Sequence, residues 1–500
     1  MLRTARTENG LVKGLPAADP RITSFKGIPF AAAPVGENRW RAPQPAADYK
    51  GVYEAFQFAP ISLQAPIKAD ETHLYDREWH VDPDTPMAED CLYLNIWTPA
   101  KSADEKLPVL VWYFGGGFQV GYTSEMEFDG ERLARRGIVV VTINYRLNVF
   151  GFLAHPEVTK ENPEAPTNFG LLDQQFATAW VKRNIQGFGG DPETITIGGQ
   201  SAGGMSVLCQ MAQPENEGLF QRGIIQSALF SEVYPSHEGP GTGSLKEAEE
   251  EGEAFFRFLG VSSLEEARAL DAIYLRDKML EYGKDFWPVV DGAFLNEAPY
   301  EAFRNGRSLN IPLLSGHTNA EFTAAPEASS DEDLKEKAKA IYGERAESFL
   351  TLCEARRPEG EPLAKGGEVL GIEYATRHAL DKGFCKRAPF YYYVFSAGIP
   401  GWDDPGAFHS VDLWFFFETL AKSWRPFSGK HYDLARQMCN YWAEFIKKGD
   451  PNGKDHDGRK MPEWRPYTEE APYAMHFDDT AHFSEEGPEP LMNFLLEVNH

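Results

Sequence analysis

The pentapeptide Gly199-Gln200-Ser201-Ala202-Gly203 constrains the fold more than any other part of this 500-residue chain. It follows the Thr/Ile stretch ETITI and precedes MSVLCQMA, a segment compatible with a helix. A G-x-S-x-G sequence in that context forms a strained strand-to-helix turn, whose glycines permit close approach of the backbone. Without the flanking segments it would indicate only a structural glycine turn. The sequence therefore predicts a strand–turn–helix unit that raises the Ser201 hydroxyl above the edge of a sheet.

Strand-like and helix-like segments alternate through the first half of the chain. KLPVLVWYF and GIVVVTINYRL are short and rich in Val and Ile, which predicts buried strands. GLLDQQFATAWVKRNI has apolar residues at helical spacing and predicts an amphipathic helix. Two further pieces, FWPVVDG and IPLLSGHTN, are strand-like. This alternation favours the α/β class, with a largely parallel central sheet covered by helices.

Two stretches, approximately 235–285 and 325–400, are expected to be helical lid insertions over the sheet. In the first, GVSSLEEARAL carries a possible capping box, either Ser262 with Glu265 or Ser263 with Glu266. In the second, Ser330 is placed to cap a helix. Because no Pro/Ser/Gly-rich linker separates independent units, residues 1–500 are predicted to form a single domain.

Composition and charge exclude several functional classes. The net charge of −26 disfavours nucleic acid and anionic membranes as partners. No stretch reaches the ~18 consecutive apolar residues of a membrane helix, so no membrane insertion is expected. The five cysteines form no C-x-x-C pair, and neither an H-E-x-x-H sequence nor a nucleotide-binding glycine pattern occurs. We therefore expect no metal and no organic cofactor.

The first residues, MLRTARTENGLVKG, lack the apolar core of a signal peptide. This predicts a cytoplasmic protein for the sequence as it stands.

The triplet Gly115-Gly116-Gly117 follows the Val-rich strand KLPVLVWYF. Glycines at this position can turn bare backbone N–H groups toward a carbonyl under attack. With the N–H of Ala202, those of Gly116 and Gly117 would form an oxyanion hole. A flexible turn is the alternative, but the triplet precedes Ser201 by about 85 residues, a placement that favours function.

Several longer motifs, found in order along nearly the whole chain, resemble the type-B carboxylesterase/lipase family, which includes bacterial para-nitrobenzyl-type esterases and the cholinesterases. The motifs are FKGIPFAAAPVGENRWRAPQP, EDCLYLNI, NYRL, FGGDPETITIGGQSAGG, FIKKGDPNG and WRPYT. The resemblance implies the α/β-hydrolase fold, a small-molecule ester as substrate and a monomeric protein.

The resemblance also locates the remaining catalytic groups. GHTNAE resembles the acid loop of the family and places the acid at Glu321, and GAFHS resembles its histidine loop and places the base at His409. The chain order Ser–acid–His is the usual one for this fold. Ser227 matches a family serine that supports the triad, although a core hydroxyl bonded to backbone is an equal alternative.

The chain departs from the family pattern at several positions. Phe114 stands where many relatives carry His or Tyr, and we expect it to tune pocket shape. Gln200 replaces the usual Glu beside the nucleophile, a change expected to alter the pH response. Cys91 occupies one half of a frequent disulfide, but the partner position holds Ser62, so no bridge is expected, which suits a reducing cytoplasm. Trp79 lies near the position of a choline-binding aromatic residue of cholinesterases, but the local spacing differs and no role is assigned.

These observations predict a serine carboxylesterase that cleaves small to medium acyl or aromatic esters through an acyl-enzyme on Ser201. A specialised hydrolase on the same site (feruloyl esterase, lactonase, amidase or lipase) is the main alternative. A non-catalytic adhesion or scaffold protein is another, but such members usually lose a triad residue. Because loops shape specificity, the sequence leaves the substrate open.

Overall fold

The computed structural model describes residues 1–68, 72–234, 243–381, 388–468 and 470–499. Its strands are β1 Thr4–Thr7, β2 Gly10–Lys13, β3 Leu15–Pro16, β4 Thr23–Pro29, β5 Val52–Glu54, β6 Tyr93–Thr98, β7 Leu107–Tyr113, β8 Val139–Ile143, β9 Gly190–Gln200, β10 Arg222–Gln226, β11 Leu313–Thr318, β12 Thr323–Ala324, β13 Val369–Leu370, β14 Phe390–Phe395, β15 Ala474–Phe477 and β16 Ala481–Ser484.

The α-helices are α1 Leu74–Glu78, α2 Glu131–Ala134, α3 Asn148–Phe152, α4 Pro156–Glu161, α5 Phe169–Asn184, α6 Ala202–Met211, α7 Leu245–Leu259, α8 Leu264–Arg268, α9 Ala272–Tyr282, α10 Pro299–Arg304, α11 Asp331–Tyr342, α12 Ala346–Arg356, α13 Leu363–Gly366, α14 Gly371–Asp381, α15 Asp412–Phe416, α16 Gly429–Lys448 and α17 Pro490–Val498.

An 11-stranded sheet forms the centre of the molecule, in the order β16-β15-β14-β11-β10-β9-β7-β8-β6-β4-β3. The strands from β15 to β8 pair in parallel, whereas β16 at one edge and β6, β4 and β3 at the other pair antiparallel. Helices cover the sheet. The expected α/β-hydrolase fold, with its mostly parallel sheet, is confirmed.

The central strands are buried on both faces, as their uninterrupted apolar sequences predict. All five residues of β8 are buried, as are the last five of β7. A buried ion pair ties the chain after β8 to α5: Arg146 Nε and Nη2 donate to Asp173 at 2.8 and 2.6 Å. The NYRL motif therefore has a structural role, because its arginine joins the sheet to a covering helix.

The register of the sheet brings the chemically important loops to one edge. Gln200 at the end of β9 lies opposite Gln226 at the end of β10, which in turn lies opposite Gly316 in β11. In a parallel sheet the carboxyl ends of adjacent strands meet at one edge, where open α/β folds bind ligands. Ser201, Ser227 and the loop after β11 therefore lie at the same edge of the sheet.

The first insertion contains α7, α8 and α9, and its residues 235–242 lie outside the described part of the chain. Ser263 caps α8 by accepting a hydrogen bond from the Glu266 N–H at 3.2 Å, which selects the second of the two capping pairs considered above. The prediction of a strand at FWPVVDG is wrong. The segment meets the rest of the chain through an isolated bridge at Val290 and through Val289 N–H, which donates to the Asn168 side chain. Pro288 lacks the N–H that a ladder needs.

The second insertion is shorter than expected. Helices α11 to α14 occupy residues 331–381, and residues 382–387 lie outside the described part. Phe390–Phe395, which the predicted 325–400 insertion includes, is instead strand β14 of the central sheet, between β11 and β15. Its sequence FYYYVF is aromatic and β-branched, a composition that suits a buried strand. Ser330 caps α11 as predicted, accepting from Asp333 N–H at 3.1 Å.

Candidate active site

Ser201 occupies the sharp turn between β9 and α6 that the pentapeptide predicts. Its backbone has φ 54° and ψ −126°, a conformation that L-residues rarely adopt, and its N–H donates to Gln226 O at 2.9 Å. The flanking glycines are needed because the chains touch: a Cβ on Gly203 would lie 2.0 Å from Tyr113 O, and one on Gly199 2.2 Å from the Gly203 backbone. Packing against the neighbouring strand thus maintains the strained serine.

The glycine triplet after β7 turns back toward Ser201. Gly116 has φ 107° and Gly117 has φ 61°, and a Cβ on Gly116 would lie 2.1 Å from the Val120 carbonyl oxygen. Ala202 is the first residue of α6, where backbone N–H groups have no partner within the helix. Gly116, Gly117 and Ala202 line the same cavity as Ser201.

Glu321 and His409 form a direct hydrogen bond, with 2.6 Å between His409 Nδ1 and Glu321 Oε2. The other carboxylate oxygen, Oε1, accepts from the Thr318 hydroxyl at 3.0 Å. Burial by itself raises the pKa of Glu321, but the hydrogen bond and charge of His409, together with smaller effects of Ser227 and His317, outweigh it, so the pKa lies below its ordinary value. The structure thus brings together an ionised carboxylate and an imidazole that are 88 residues apart in sequence.

Ser227 lies beside this pair. Its backbone has φ 49°, its N–H donates to Gly316 O at 2.8 Å, and its side chain is fully buried. The hydroxyl contributes to lowering the pKa of Glu321, although less than His409 does. The supporting role that the resemblance implies for Ser227 stays a prediction.

Gln200 contacts the other nitrogen of the imidazole. Its Nε2 lies 3.1 Å from His409 Nε2, and the side chain is buried in the wall of the cavity. Gln200, the residue that departs from the family pattern, therefore contacts His409, the predicted base.

Three residues around the site were not singled out from the sequence. The Thr318 hydroxyl donates to Glu321, and the ring of Phe322 lies 5.0 Å from the His409 ring. Asp412 is fully buried and interacts through its charge with Glu321 and His409. Thr318 and Asp412 do lie next to recognised motifs, in GHTNAE and three residues after His409. Their position beside these motifs is the only feature of the sequence that could have pointed to Thr318 and Asp412, because neither residue type is unusual there.

A cavity of about 1670 Å³ contains Ser201, His409 and the glycine triplet. Many of its lining side chains are aromatic: Tyr75, Trp79, Phe128, Phe152, Phe230, Phe286, Trp287, Tyr300, Phe322 and Tyr374. Trp79, for which the sequence assigned no role, is thus part of the wall and packs on Trp414 with 4.9 Å between ring centroids. Phe114 is not among the lining residues and stacks on Tyr145 at 4.3 Å, so the expectation that it shapes the pocket is not met.

Two buried acids, Glu125 and Glu127, also line the cavity. Burial raises the pKa of both, and the neighbouring Glu125 raises that of Glu127 further, well above its ordinary value. His80 Nε2 lies 3.7 Å from Glu125 Oε1. Burial and the neighbouring carboxyl thus favour the protonated form of Glu127 on this wall.

Cys91 is a buried free thiol, and the hydroxyl of Ser62 is its hydrogen-bond partner where the family often has a second sulfur. Burial raises the pKa of the Cys91 thiol, so it stays protonated at neutral pH.

Within the described ranges, no three His, Cys, Asp or Glu side chains are grouped so that they could hold a metal ion. Among the same residues, no helix has both the length and the apolar character needed to cross a membrane.

The sheet order, the turn at Ser201 and the cavity above the strand ends define a hydrolase of the α/β-hydrolase class. The family model for the carboxylesterase family matches residues 2–359 and 370–494. The chain belongs to this family, and it is a carboxylic ester hydrolase.

Individual relatives agree with this assignment. The chain is 33% identical to the bile salt-activated lipase of Rattus norvegicus over 516 residues, covering 93% of this chain and 80% of the relative. It is 31% identical to the para-nitrobenzyl esterase of Bacillus subtilis (strain 168), with 89% and 90% covered. The chain is 28% identical in sequence to a PNB esterase of solved structure. The two structures superpose with a TM-score of 0.78, and the match covers 99% of each chain.

Proposed function

We propose that Ser201 is the nucleophile, His409 the general base and Glu321 the acid of a catalytic triad that hydrolyses carboxylic esters through an acyl-enzyme. The observation that carries the proposal is the 2.6 Å bond between His409 Nδ1 and Glu321 Oε2, beside a serine on a strained turn in the same cavity. A nucleophile, a base and a group that orients the base are the parts such chemistry requires.

In the first half-reaction, His409 Nε2 takes the Ser201 proton as Oγ attacks the ester carbonyl. Glu321 remains ionised, because its pKa lies below the ordinary value, and it stabilises the imidazolium. The tetrahedral oxyanion collapses, and the leaving alcohol takes the proton from His409. Water, deprotonated by the same base, then releases the carboxylic acid and regenerates the serine.

The backbone N–H groups of Gly116, Gly117 and Ala202 form the proposed oxyanion hole. Positive φ at both glycines turns their peptide groups relative to an ordinary strand, and the α6 N-terminus adds its positive dipole end. Removing one such donor typically costs ~3 kcal/mol of transition-state stabilisation. Ser227 and Gln200 support the triad from either side, the first through Glu321 and the second through His409.

The substrate is proposed to be an ester with a small to medium acyl group or an aromatic one. The cavity is larger than the roughly 300–1,000 Å³ of ordinary ligand sites, so it accommodates such groups without a tight steric limit. Its aromatic wall favours apolar substituents, and the acidic side chains on it disfavour anionic ones. A specialised hydrolase remains the second candidate, because relatives with names as different as lipase and para-nitrobenzyl esterase share this family.

The protein is further proposed to be a cytoplasmic monomer that binds no nucleic acid. Free buried thiols at Cys91, Cys209, Cys353 and Cys439 suit a reducing compartment, and the charge of −26 supports the exclusion of nucleic acid.

Hydrolysis of para-nitrophenyl esters from acetate to octanoate by wild type, Ser201→Ala and Ser231→Ala tests the catalytic proposal. Ser231 lines the same cavity and serves as the matched control. We expect wild type and Ser231→Ala to be active on these esters, and Ser201→Ala to lose up to ~10⁶-fold in kcat. A folded wild type inactive on every ester, or an active Ser201→Ala, would reject the proposal.

A further inference from the structure

The side chain of Gln200 bridges two parts of the proposed active site. It is 2% exposed, and its Nε2 lies 3.1 Å from His409 Nε2. Its Oε1 lies over the glycine loop, where a Cβ on Gly115 would come within 3.0 Å of it. Gln200 is also the last residue of β9, directly before Ser201, so the rigid strand positions its amide.

The hydrogen-bond chemistry of this contact depends on the protonation state of His409. The Glu321 carboxylate accepts only, so Nδ1 carries the proton of the neutral ring and Nε2 presents a lone pair. The Gln200 N–H donates to that lone pair. A doubly protonated imidazole would instead direct a second N–H at the amide N–H, and two donors repel each other.

We propose that Gln200 is a positioning residue that stabilises the neutral, Nδ1-protonated form of His409 in the resting enzyme. The amide thereby extends activity to lower pH than the carboxylate usual at this position would allow. During turnover the Ser201 hydroxyl replaces the amide as donor to Nε2. The inference rests on the proposed function, because it requires His409 to be the base.

Other titratable groups face this part of the site. Glu321 contacts the imidazole directly, and the buried Asp412 interacts with His409 through its charge. His317 and Tyr75 interact with Glu321 in turn. Substitution of Gln200 leaves all of these groups in place. A difference in pH dependence between the variants therefore reports the effect of the side chain at position 200.

The test compares the pH dependence of kcat/KM for wild type, Gln200→Met and Gln200→Glu. Met keeps the length of the side chain without a donor or a charge, and Glu adds an acceptor and a negative charge. We expect the midpoint of the acid limb to rise by about half a pH unit in Gln200→Met, from loss of one hydrogen bond. In Gln200→Glu it should rise by about 1–2 units, because an opposite charge within hydrogen-bond distance favours the imidazolium. A general packing defect would lower kcat/KM equally at every pH.

The same titration can be followed without substrate, through the low-field proton NMR signal of the His409 Nδ1–H, which the short bond to Glu321 should shift downfield. The midpoints should follow the order wild type, Met, Glu. Equal midpoints for wild type and Gln200→Met, or no rise in Gln200→Glu, would overturn the inference. If wild type hydrolysed no ester, the proposed function would fail, whereas the NMR titration would still decide whether Gln200 controls the imidazole.

Discussion

Replacing Glu78 by glutamine should loosen the cavity wall formed by α1 and the residues after it. The Glu78 carboxylate is fully buried and accepts from Arg425 Nε at 2.7 Å. Arg425 also donates to both carboxylate oxygens of Asp403 at 3.0 Å. Tyr75 on α1 and Trp79 directly after it line the cavity. The buried ion pair therefore attaches a segment that lines the cavity to the loop before α16.

The size of the effect follows from burial. Breaking a buried ion pair by removing one charge typically costs ~3–5 kcal/mol. We expect the lower end, about 3 kcal/mol, because the Gln carbonyl still accepts and Arg425 keeps Asp403. With an unfolding entropy of about 2.1 cal/mol/K per residue, a chain of 500 residues should lose about 3 °C in Tm.

Calorimetry and steady-state kinetics on a para-nitrophenyl ester measure both consequences. KM should rise in Glu78→Gln while kcat changes little, because the wall moves and the serine does not. Asp479→Asn is the control, since Asp479 pairs with Lys430 at the surface, with 80% and 58% of their side chains exposed, and should cost under ~1 °C. A Glu78→Gln protein that melts within the range of this control, with unchanged KM, would refute the reasoning.

Three further changes have distinct expected outcomes. Gly116→Ala should lower kcat at least ~100-fold, because the new Cβ would lie 2.1 Å from the Val120 carbonyl oxygen and displace a proposed oxyanion donor. The fluorescence spectrum should remain native, and an unchanged kcat would show that Gly116 is not part of the oxyanion hole. Ser62→Cys should form a disulfide with Cys91 and add about 3 kcal/mol of stability. Thiol titration of the unfolded protein should then find one free thiol fewer than the five of wild type. Six free thiols would show that the disulfide does not form. The hydrogen bond from Arg268 lowers the pKa of Glu161 from 4.5 to about 2, so its stabilisation is complete above pH 4.5 and lost as the pH falls toward 2. The Tm difference between wild type and Glu161→Gln should shrink over that range, and a constant difference would contradict the assignment.

The local sequence determined the turns, helices and strands that depend only on neighbouring residues. The turn at Ser201 follows from small residues between a strand and a helix, and the structure has that turn with φ 54°. The helix Phe169–Asn184 and the strands Leu107–Tyr113 and Val139–Ile143 follow from periodicity and β-branched composition. FWPVVDG shows the limit of this reasoning, since its apolar residues face the cavity region instead of pairing in the sheet.

Glu321 and His409 were found through their resemblance to family motifs, because no local pattern distinguishes them from other acids and histidines. Their contact spans 88 residues, and the contact between Gln200 and His409 spans 209. The ion pair of Glu78 with Arg425 spans 347. Such contacts depend on the order and register of the strands and on how the loops pack above them, so only the tertiary structure decided them. The sequence alone determined the family, the parallel sheet and the turn that carries Ser201, since periodicity, turn geometry and extended motifs are properties of contiguous residues.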